Sequence, residues 1–300
     1  MILKQVIKMD AITIKNNQVI SKNLPKGFTF DNHVISIKDK MIYNEPIKIT
    51  LKDDNNENLV INIGKSSEVK LIFEINSKDL NKNNYDLTLN IDKNSQVNYL
   101  VISDLASSNA TLNHTFNLEK DVNLKLLGGF VSNIINSNMH VKLNGENSSV
   151  DVKIIAISSS TNNQRIDVLA EHFAKNSYSD MTNIGVVNEK GKVTLNGVAK
   201  IHKGMNGVSA FQSLKGITTS DDANLEVNPI LLIEEHDIKA GHGATIGKLE
   251  KEVLFYLMSR GLNKTEAENL VIMGLLNPVI SEIDDEPLKE RFLEMVNKRL

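Results

Sequence analysis

Strict alternation of apolar and polar residues is the feature that most limits the fold of this chain. The period of two is clearest at Val69, Leu71, Phe73 and Ile75, and it recurs at residues 87–91, 112–118 and 139–143. Successive side chains of a β-strand point to opposite faces, so this pattern predicts strands with one buried and one exposed face. Residues 58–155 are therefore predicted to be rich in β-strands.

A polar turn recurs through the same region. Three copies end in Ser-x-Val, namely GKSSEV at 64–69, DKNSQV at 92–97 and GENSSV at 145–150, and LEKDV places Val122 between them. The four valines are 28, 25 and 28 residues apart. A turn at such a regular interval, with two strands between turns, is typical of a stacked β-solenoid. A β-sandwich of hairpins also shows turns and alternation, so the periodicity leaves both folds open.

The strand pattern continues to about residue 235, and the period then becomes helical. Strands are predicted over residues 164–172, 181–187, 192–201 and 208–214, and short strands also fit residues 1–50 better than helices do. Thr265 and Glu268 predict a capping box for a helix that ends at Asn277 and Pro278, and Pro287 suits the first turn of another helix. Three short helices are predicted to close the chain.

Composition excludes several classes of protein. A hydrophobic content of 41% is enough for a folded core, and a net charge of -3 gives no basic surface for nucleic acid. No apolar run is long enough to span a bilayer, and the first residues lack the features of a signal peptide. The absence of Cys agrees with the reducing cytoplasm, where we expect this protein to be. The sequence has no phosphate-binding loop, nucleophile elbow or zinc-protease motif, so no enzymatic activity is predicted.

Three glycines bracket His242. Gly241, Gly243 and Gly247 are typical of a tight turn, because Gly takes positive φ at no steric cost, and such a turn would project the imidazole. A lone His is more often a structural residue than a metal ligand, so both roles stay open. The apolar positions that follow predict an amphipathic helix that starts near Lys248. The other conspicuous histidines are predicted to serve the core or its turns: His114, His172 and His202.

The run HGATIGKLEKEVLFYLMSRGL at residues 242–262 resembles the C-terminal signature of the SufB/SufD family of iron-sulfur cluster assembly proteins. The usual form of that signature is close to CSHGATVG followed by LFYLxSRGI, and the HGAT form here is closer to SufD than to SufB. The match covers about residues 160–276. Upstream it is carried weakly, in the family's order, by Asp167, His172, Ser177, Gly185, Asn196, Gly197, Gln212 and Pro229.

The resemblance implies a mainly β fold, a right-handed parallel β-helix, and this decides between the solenoid and the sandwich. The expected organisation is a short N-terminal β segment at residues 1–50, a β-helix core at 51–247 and a C-terminal helical domain at 248–300. The family often carries a helical N-terminal domain, for which residues 1–50 leave little room. SufD proteins usually have a Cys two residues before the His, where this chain has Ala240. With no Cys in the chain, a role that needs a thiolate from it is excluded.

The resemblance further implies a non-enzymatic scaffold subunit of a SufBCD-type complex. Such a subunit docks the ABC-type ATPase SufC through its C-terminal helices and pairs with a SufB-like subunit or with itself. The expected SufC contacts are of residue types enriched at interface centres: Phe255, Tyr256, Leu257 and Arg260. The alternative role for this helix is a cap on the end of the β-helix.

The expected cargo is iron or a nascent iron-sulfur cluster, held transiently and shared with a partner subunit. His242 is the candidate metal ligand, and Glu235 and His236 are weaker candidates, because adjacent residues on a strand point to opposite faces. Within the family, the alternative is a minimal SufB-like homodimeric scaffold that works with SufC. From another class, a β-helix carbohydrate-active enzyme would need two carboxylates close together in an open groove.

Overall fold

The computed structural model describes residues 11–16, 18–53, 56–78 and 82–300, and this part of the chain forms nineteen strands and three helices. The first strands are β1 (Ala11–Lys15), β2 (Gln18–Asn23), β3 (Phe28–Asp31), β4 (Val34–Ile37), β5 (Ile42–Lys52), β6 (Asn56–Ile63), β7 (Glu68–Ser77), β8 (Lys82–Ile91), β9 (Gln96–Leu105) and β10 (Asn109–Leu118). They continue with β11 (Asn123–Phe130), β12 (Ile134–Leu143), β13 (Ser149–Ser158), β14 (Asn163–His172), β15 (Tyr178–Val187), β16 (Lys192–Ile201), β17 (Val208–Thr218), β18 (Asn224–Ile233) and β19 (Ile238–Lys248). The helices are α1 (Lys251–Ser259), α2 (Lys264–Ile280) and α3 (Glu286–Asn297).

The strands form two facing sheets between which the chain alternates. Sheet A has the order β19-β17-β15-β13-β11-β9-β7-β5-β1-β2, and sheet B has the order β18-β16-β14-β12-β10-β8-β6-β4-β3. All neighbours are parallel except β1 with β2 and β3 with β4. The molecule is therefore a parallel β-solenoid of about seven turns, which confirms the predicted class, and its first strands extend both sheets.

Ladder pairing places like residues above one another inside the solenoid. One inward row of sheet A runs through Ile47, Leu71, Tyr99, Leu126, Val152 and Met181, each at most 1% exposed. Each coil therefore buries its apolar face against the coils on either side and against the opposite sheet. This is why the period-two pattern predicted the strands correctly.

The recurrent polar turn forms the corner that leads from sheet B into sheet A. One residue of each copy takes a left-handed conformation, namely Ser66, Asn94, Asp121 and Asn147, with φ between 56° and 59°. Asn and Asp tolerate this region better than most residues do.

The predicted place of Val122 in this repeat is wrong. Ladder pairing puts Leu124, two residues later, level with Val97 and Val150, while Val122 occupies the corner position taken by Ser95 and Ser148 in the adjacent coils. The sequence places a valine at residue 122, but β10 already ends at Leu118, so residue 122 belongs to the corner and not to the next strand.

Helices α2 and α3 pack on the outer face of sheet A and not on the end of the solenoid. Ile72, Leu100, Ile155 and other outward apolar side chains of the sheet form a second buried cluster with helical residues. Its helical members are Ile272, Leu276, Val279, Ile280, Leu288, Phe292 and Val296. The ring of Phe292 approaches so closely that a Cβ on Gly129 would lie 2.5 Å from its Cε2 atom, so only Gly fits there.

Ion pairs surround this helix contact. Glu282, between α2 and α3, binds Lys125 and, at 2.8 Å, Lys153, and Asp284 binds Lys70 at 2.7 Å. Hydrogen bonds from the two lysines, first Lys125 and then Lys153, hold the pKa of Glu282 below its usual value. The connection between the helices is thus fixed to the strands of three coils, β7, β11 and β13.

The helix boundaries correct two predictions. The capping box consists of Asn263 and Glu266, not Thr265 and Glu268, with reciprocal side-chain to backbone hydrogen bonds of 3.0 and 2.8 Å. Pro278 does not stop α2, which continues to Ile280 although the proline ring removes the N–H that would have bonded to the carbonyl oxygen four residues earlier. The start of α3 near Pro287 is confirmed. Among the described residues, no helix is long and apolar enough to cross a membrane.

Helices α2 and α3 together form a brace on the outer face of sheet A, and Phe292→Ala should loosen this packing. Loss of a ring that is 1% exposed leaves a cavity, so we expect a loss of about 3–5 kcal/mol in the free energy of unfolding. The measurement is urea unfolding followed by the helical circular dichroism signal. Phe255→Ala is the matched control, because that ring is 75% exposed and its removal should cost less than about 0.5 kcal/mol. Equal losses in the two variants would contradict the observed packing.

Candidate functional site

The last coil of the solenoid is uncovered. The residues of β18 and β19 that face inward have no further coil above them, and we call this surface the open end. Its members are Leu225, Val227, Pro229, Leu231 and Ile233 from β18, and Ile238, Ala240, His242, Ala244 and Ile246 from β19. Ile246 is 51% and Ile233 is 42% exposed, whereas the equivalent inward residues of the preceding coils are buried.

Each sheet also ends here in a free strand edge. β18 pairs only with β16, and β19 pairs only with β17, over eleven consecutive residues. An edge strand leaves unpaired N–H and C=O groups that can pair with another chain, and proteins usually cover or disrupt such edges. The open end therefore combines exposed apolar side chains with two edges that can accept further strands.

His242 lies in the open end, in the middle of β19. It is the ladder partner of Gln212, and it continues the inward row that is apolar from Ile47 to Met181. The row thus changes from apolar to polar in its last two residues. The imidazole of His242 is exposed, because nothing in the described chain lies above it.

The predicted tight turn around His242 is wrong. Residues 238–248 form a continuous strand, and Gly241, Gly243 and Gly247 all lack positive φ. These glycines lie on the outward face of β19, and His242 is presented by the alternation of the strand. Because β19 extends to Lys248, α1 begins at Lys251 and not near Lys248 as predicted.

Glu235 and His236 lie in the corner between β18 and β19. The carboxylate of Glu235 accepts backbone N–H groups from Gly204 at 2.8 Å, His236 at 2.8 Å and Asp237 at 3.4 Å. The hydrogen bond from His236 is the main cause that lowers the pKa of Glu235. Within the described residues, no group of three His, Asp or Glu side chains could hold a metal ion. Among the described residues of the open end, His242 is the one histidine.

Helix α1 is the second exposed apolar element, and it directly follows β19. None of its residues is buried, and Phe255 is 75% and Tyr256 56% exposed. Leu257 is half-buried, while Arg260 is exposed with its guanidinium 5.2 Å from the ring centre of Tyr256. A groove of about 410 Å³ separates α1 from the edge of sheet A, lined by apolar side chains that include Ile217, Ile246, Val253 and Leu275. The helix is thus held beside the solenoid and not packed into it.

Comparison with known proteins places these features in a family. The family model described as "SUF system FeS cluster assembly, SufBD core domain" matches residues 49–275, from β5 into α2. The chain belongs to the SufB/SufD family. The predicted resemblance is thereby confirmed, and it reaches much further toward the N-terminus than the expected 160–276.

SufD and SufB proteins are both among the curated relatives. The chain is 34% identical to the iron-sulfur cluster assembly protein SufD of Bacillus subtilis over 158 residues, which are 53% of this chain and 36% of that protein. Identity to SufD of Escherichia coli is 28% over 198 residues, 65% of this chain and 44% of that protein. Identity to SufB of Bacillus subtilis is 26% over 144 residues, 48% of this chain and 31% of that protein. The matches thus span between about a third and less than half of these relatives.

His172 and Ser177, two of the family-like positions upstream of the open end, bond to each other in the interior. His172 is buried, with Nδ1 2.8 Å from Ser177 Oγ and Nε2 2.9 Å from Ser179 Oγ. Burial lowers its pKa to about 4, so the ring is a neutral structural group. His114 is also in the core, 2.6 Å from the hydroxyl of Tyr99, and burial lowers its pKa to about 3. The predicted core roles of both histidines are confirmed.

A charged cluster on the outer face of sheet B was not predicted from the sequence. Glu171, 8% exposed, binds His140 Nε2, Lys200 Nζ and His202 Nε2 at 2.8, 2.9 and 2.8 Å. Burial alone would raise the pKa of Glu171, but hydrogen bonds from Lys200, His202 and His140 lower it to about 2. The partners lie 29 or 31 residues from Glu171, so only the coil spacing could have revealed them. With all three partners engaged, the cluster joins adjacent coils of this SufB/SufD-family protein and does not form an open metal site.

Proposed function

We propose that this chain is a SufD-like, non-enzymatic scaffold subunit of a SufBCD-type complex that assembles iron-sulfur clusters. Membership of the family supports a role in iron-sulfur cluster assembly. The sequence identity is higher to both SufD relatives than to the SufB relative. The observation that carries the proposal is the open end, where exposed apolar residues, two strand edges and His242 occur together.

In this proposal the open end pairs with a SufB-like subunit. Strands of the partner extend both sheets, and its inward apolar residues cover those of β18 and β19. Full burial of an apolar side chain of the size of Ile stabilises a complex by about 1.5–3 kcal/mol, so a few such residues matter for affinity. Pairing of two copies of this chain through the same surface is the alternative, a minimal SufB-like homodimer.

Ile246→Arg should prevent this pairing, because it places a charge among the apolar residues of the contact. We expect the wild-type chain to form a 1:1 complex with the SufB-like subunit at micromolar concentration in analytical ultracentrifugation, and the variant to remain monomeric. Ile20→Arg is the matched control, since Ile20 is 58% exposed but lies on β2 at the other end of sheet A. A wild-type homodimer would favour the alternative. A wild-type monomer both alone and with SufB would refute pairing at the open end.

Helix α1 is the proposed docking element for the SufC ATPase. Its exposed aromatic pair, with Arg260 beside Tyr256, has the composition of an interface centre. Helix α1 is positioned by its short connection to β19 and by its packing against α2. The energy for assembly would then come from ATP hydrolysis in SufC and not from this chain.

The double variant Phe255→Asp, Tyr256→Asp should abolish co-purification with SufC, because the carboxylates make burial of this helix face unfavourable. The matched control is Val19→Asp, Ile20→Asp, an equally adjacent and exposed pair on β2. Both variants should keep the circular dichroism spectrum of the wild type, as neither pair is buried. SufC binding by the folded α1 variant would show that α1 has no docking role.

His242 is the proposed cargo ligand of this subunit. Neutral imidazole is a good ligand for iron, and the exposed ring faces the surface that a partner would cover. The chain contains no Cys, so the thiolate ligands and sulfur acceptors must come from the SufB-like partner. An incomplete site shared between two subunits suits a cluster that has to be passed on.

His242→Ala should abolish cluster formation in the reconstituted complex, because a ligand is lost, without weakening the complex or ATP hydrolysis. Cluster content is measured by visible absorption and by iron and sulfide analysis. His236→Ala is the control, an exposed histidine in the neighbouring corner, and it should retain most of the activity. Assembly at the wild-type rate in the His242 variant would make His242 a structural residue.

A further inference from the structure

Gln212 is a buried amide at the inner boundary of the open end. It is 4% exposed, and it is the first amide in the inward row, whose members from Ile47 to Met181 are apolar except for the hydroxyl of Tyr99. Its ladder partner on the next strand is His242. A polar side chain in an apolar row costs free energy unless its hydrogen bonds are made, so the contacts of this amide indicate its role.

One half of the amide is already engaged. The Nε2 atom of Gln212 donates to the backbone oxygen of Ile230 in β18, at 3.1 Å. This bond crosses from sheet A to sheet B and fixes which end of the amide is the donor. The Oε1 atom is buried and has no hydrogen-bond partner among the described residues. A buried acceptor without a partner costs about 1–3 kcal/mol.

The register places His242, whose imidazole can donate an N–H, on the strand next to this acceptor. Paired strands lie about 4.8 Å apart, so the side chains of Gln212 and His242 project side by side from one face of sheet A. The inward neighbours of His242 on its own strand are Ala240 and Ala244, which carry no side-chain donor. Asn183 also has a buried amide without a partner, but its ladder partner is Leu214, one inward row away.

We propose that Gln212 is the positioning residue for His242. In the proposed contact its Oε1 atom, which has no partner within the described residues, accepts the N–H of one imidazole nitrogen, and this bond selects one tautomer of the neutral ring. The other ring nitrogen then carries the lone pair and faces the partner subunit. This inference rests on the proposed role of His242 as a cargo ligand, since a ligand imidazole needs its second nitrogen fixed by such an acceptor.

The direct test is nitrogen NMR of the histidine side chains in the 300-residue chain, alone and paired with the SufB-like subunit, at alkaline pH. We expect one tautomer for His242 in the wild type and a mixture in Gln212→Met. Exposed His236 serves as the reference for an unconstrained ring in the same spectrum. Gln212→Glu loses the donor to Ile230 but keeps an acceptor of the same length, so it should keep the single tautomer. The same tautomer ratio in the wild type and in Gln212→Met would overturn the proposal.

Gln164→Met separates positioning from folding. Gln164 is also a buried amide whose Nε2 binds backbone oxygens, of Ser132 at 2.6 Å and Ile157 at 2.9 Å, and whose Oε1 has no partner. Its ladder partners are Ile135 and Val193, so no histidine depends on it. We expect a similar loss of stability in both Met variants, but a changed His242 tautomer only in Gln212→Met. A changed tautomer in both variants would show a general structural effect and refute the specific role.

Cluster assembly distinguishes this proposal from the one on which it rests. Loss of the residue that orients a metal-binding His commonly lowers metal affinity by about 10–100-fold, and we expect such a loss of cluster loading for Gln212→Met. If His242→Ala assembles clusters normally while Gln212 still selects the tautomer, ligation by His242 fails and the positioning stands. If His242→Ala abolishes assembly while the tautomer is independent of Gln212, ligation stands and the positioning fails.

Discussion

The lateral ladder between coils is the interaction on which the rest of the structure depends. Backbone hydrogen bonds fix the register of each strand against the strand one coil away, and that register aligns the inward side chains into continuous rows. An array of this kind cannot bury its final coil by itself, because each coil is covered only by its neighbours. The exposed apolar surface of β18 and β19 is therefore a direct consequence of the architecture, and so is the need for something to cover it.

The two uncovered apolar regions have different physical origins. The open end exists because the ladder stops, whereas the face of α1 is exposed because the helix lies beside a groove and not on the sheet. Helices α2 and α3 show what full packing looks like in this protein, with Phe292 against Gly129 and a surrounding set of ion pairs. The contrast between α1 and these two helices supports a partner-binding role for α1.

The sequence predicted the parts of the structure that depend on periodicity. Alternation at Val69, Leu71, Phe73 and Ile75 and the recurrent corner predicted strands and coils, and the boundaries of β16 agree with the predicted 192–201. The pattern cannot distinguish glycines in a turn from glycines on one face of a strand. It therefore predicted a tight turn at His242 where the structure has a strand, although the predicted projection of the imidazole agrees with its exposure. The ion-pair partners of Glu171 and the ladder partner of Gln212 lie about one coil away, and such proximity is set by register.

The brace of α2 and α3 has a consequence for the order in which the protein folds. Ladder contacts join residues separated by roughly one coil, such as Val69 and Val97, whereas the Lys153–Glu282 and Lys70–Asp284 pairs span 129 and 214 residues. Contacts that are distant in sequence form late, because closing the long loop costs entropy first. During synthesis, the outward apolar residues Ile72, Leu100 and Ile155 therefore remain in water until residues 264–300 have left the ribosome. A nascent solenoid of this kind exposes an aggregation-prone apolar face for most of its translation, and helices α2 and α3 bury that face once they have been synthesised.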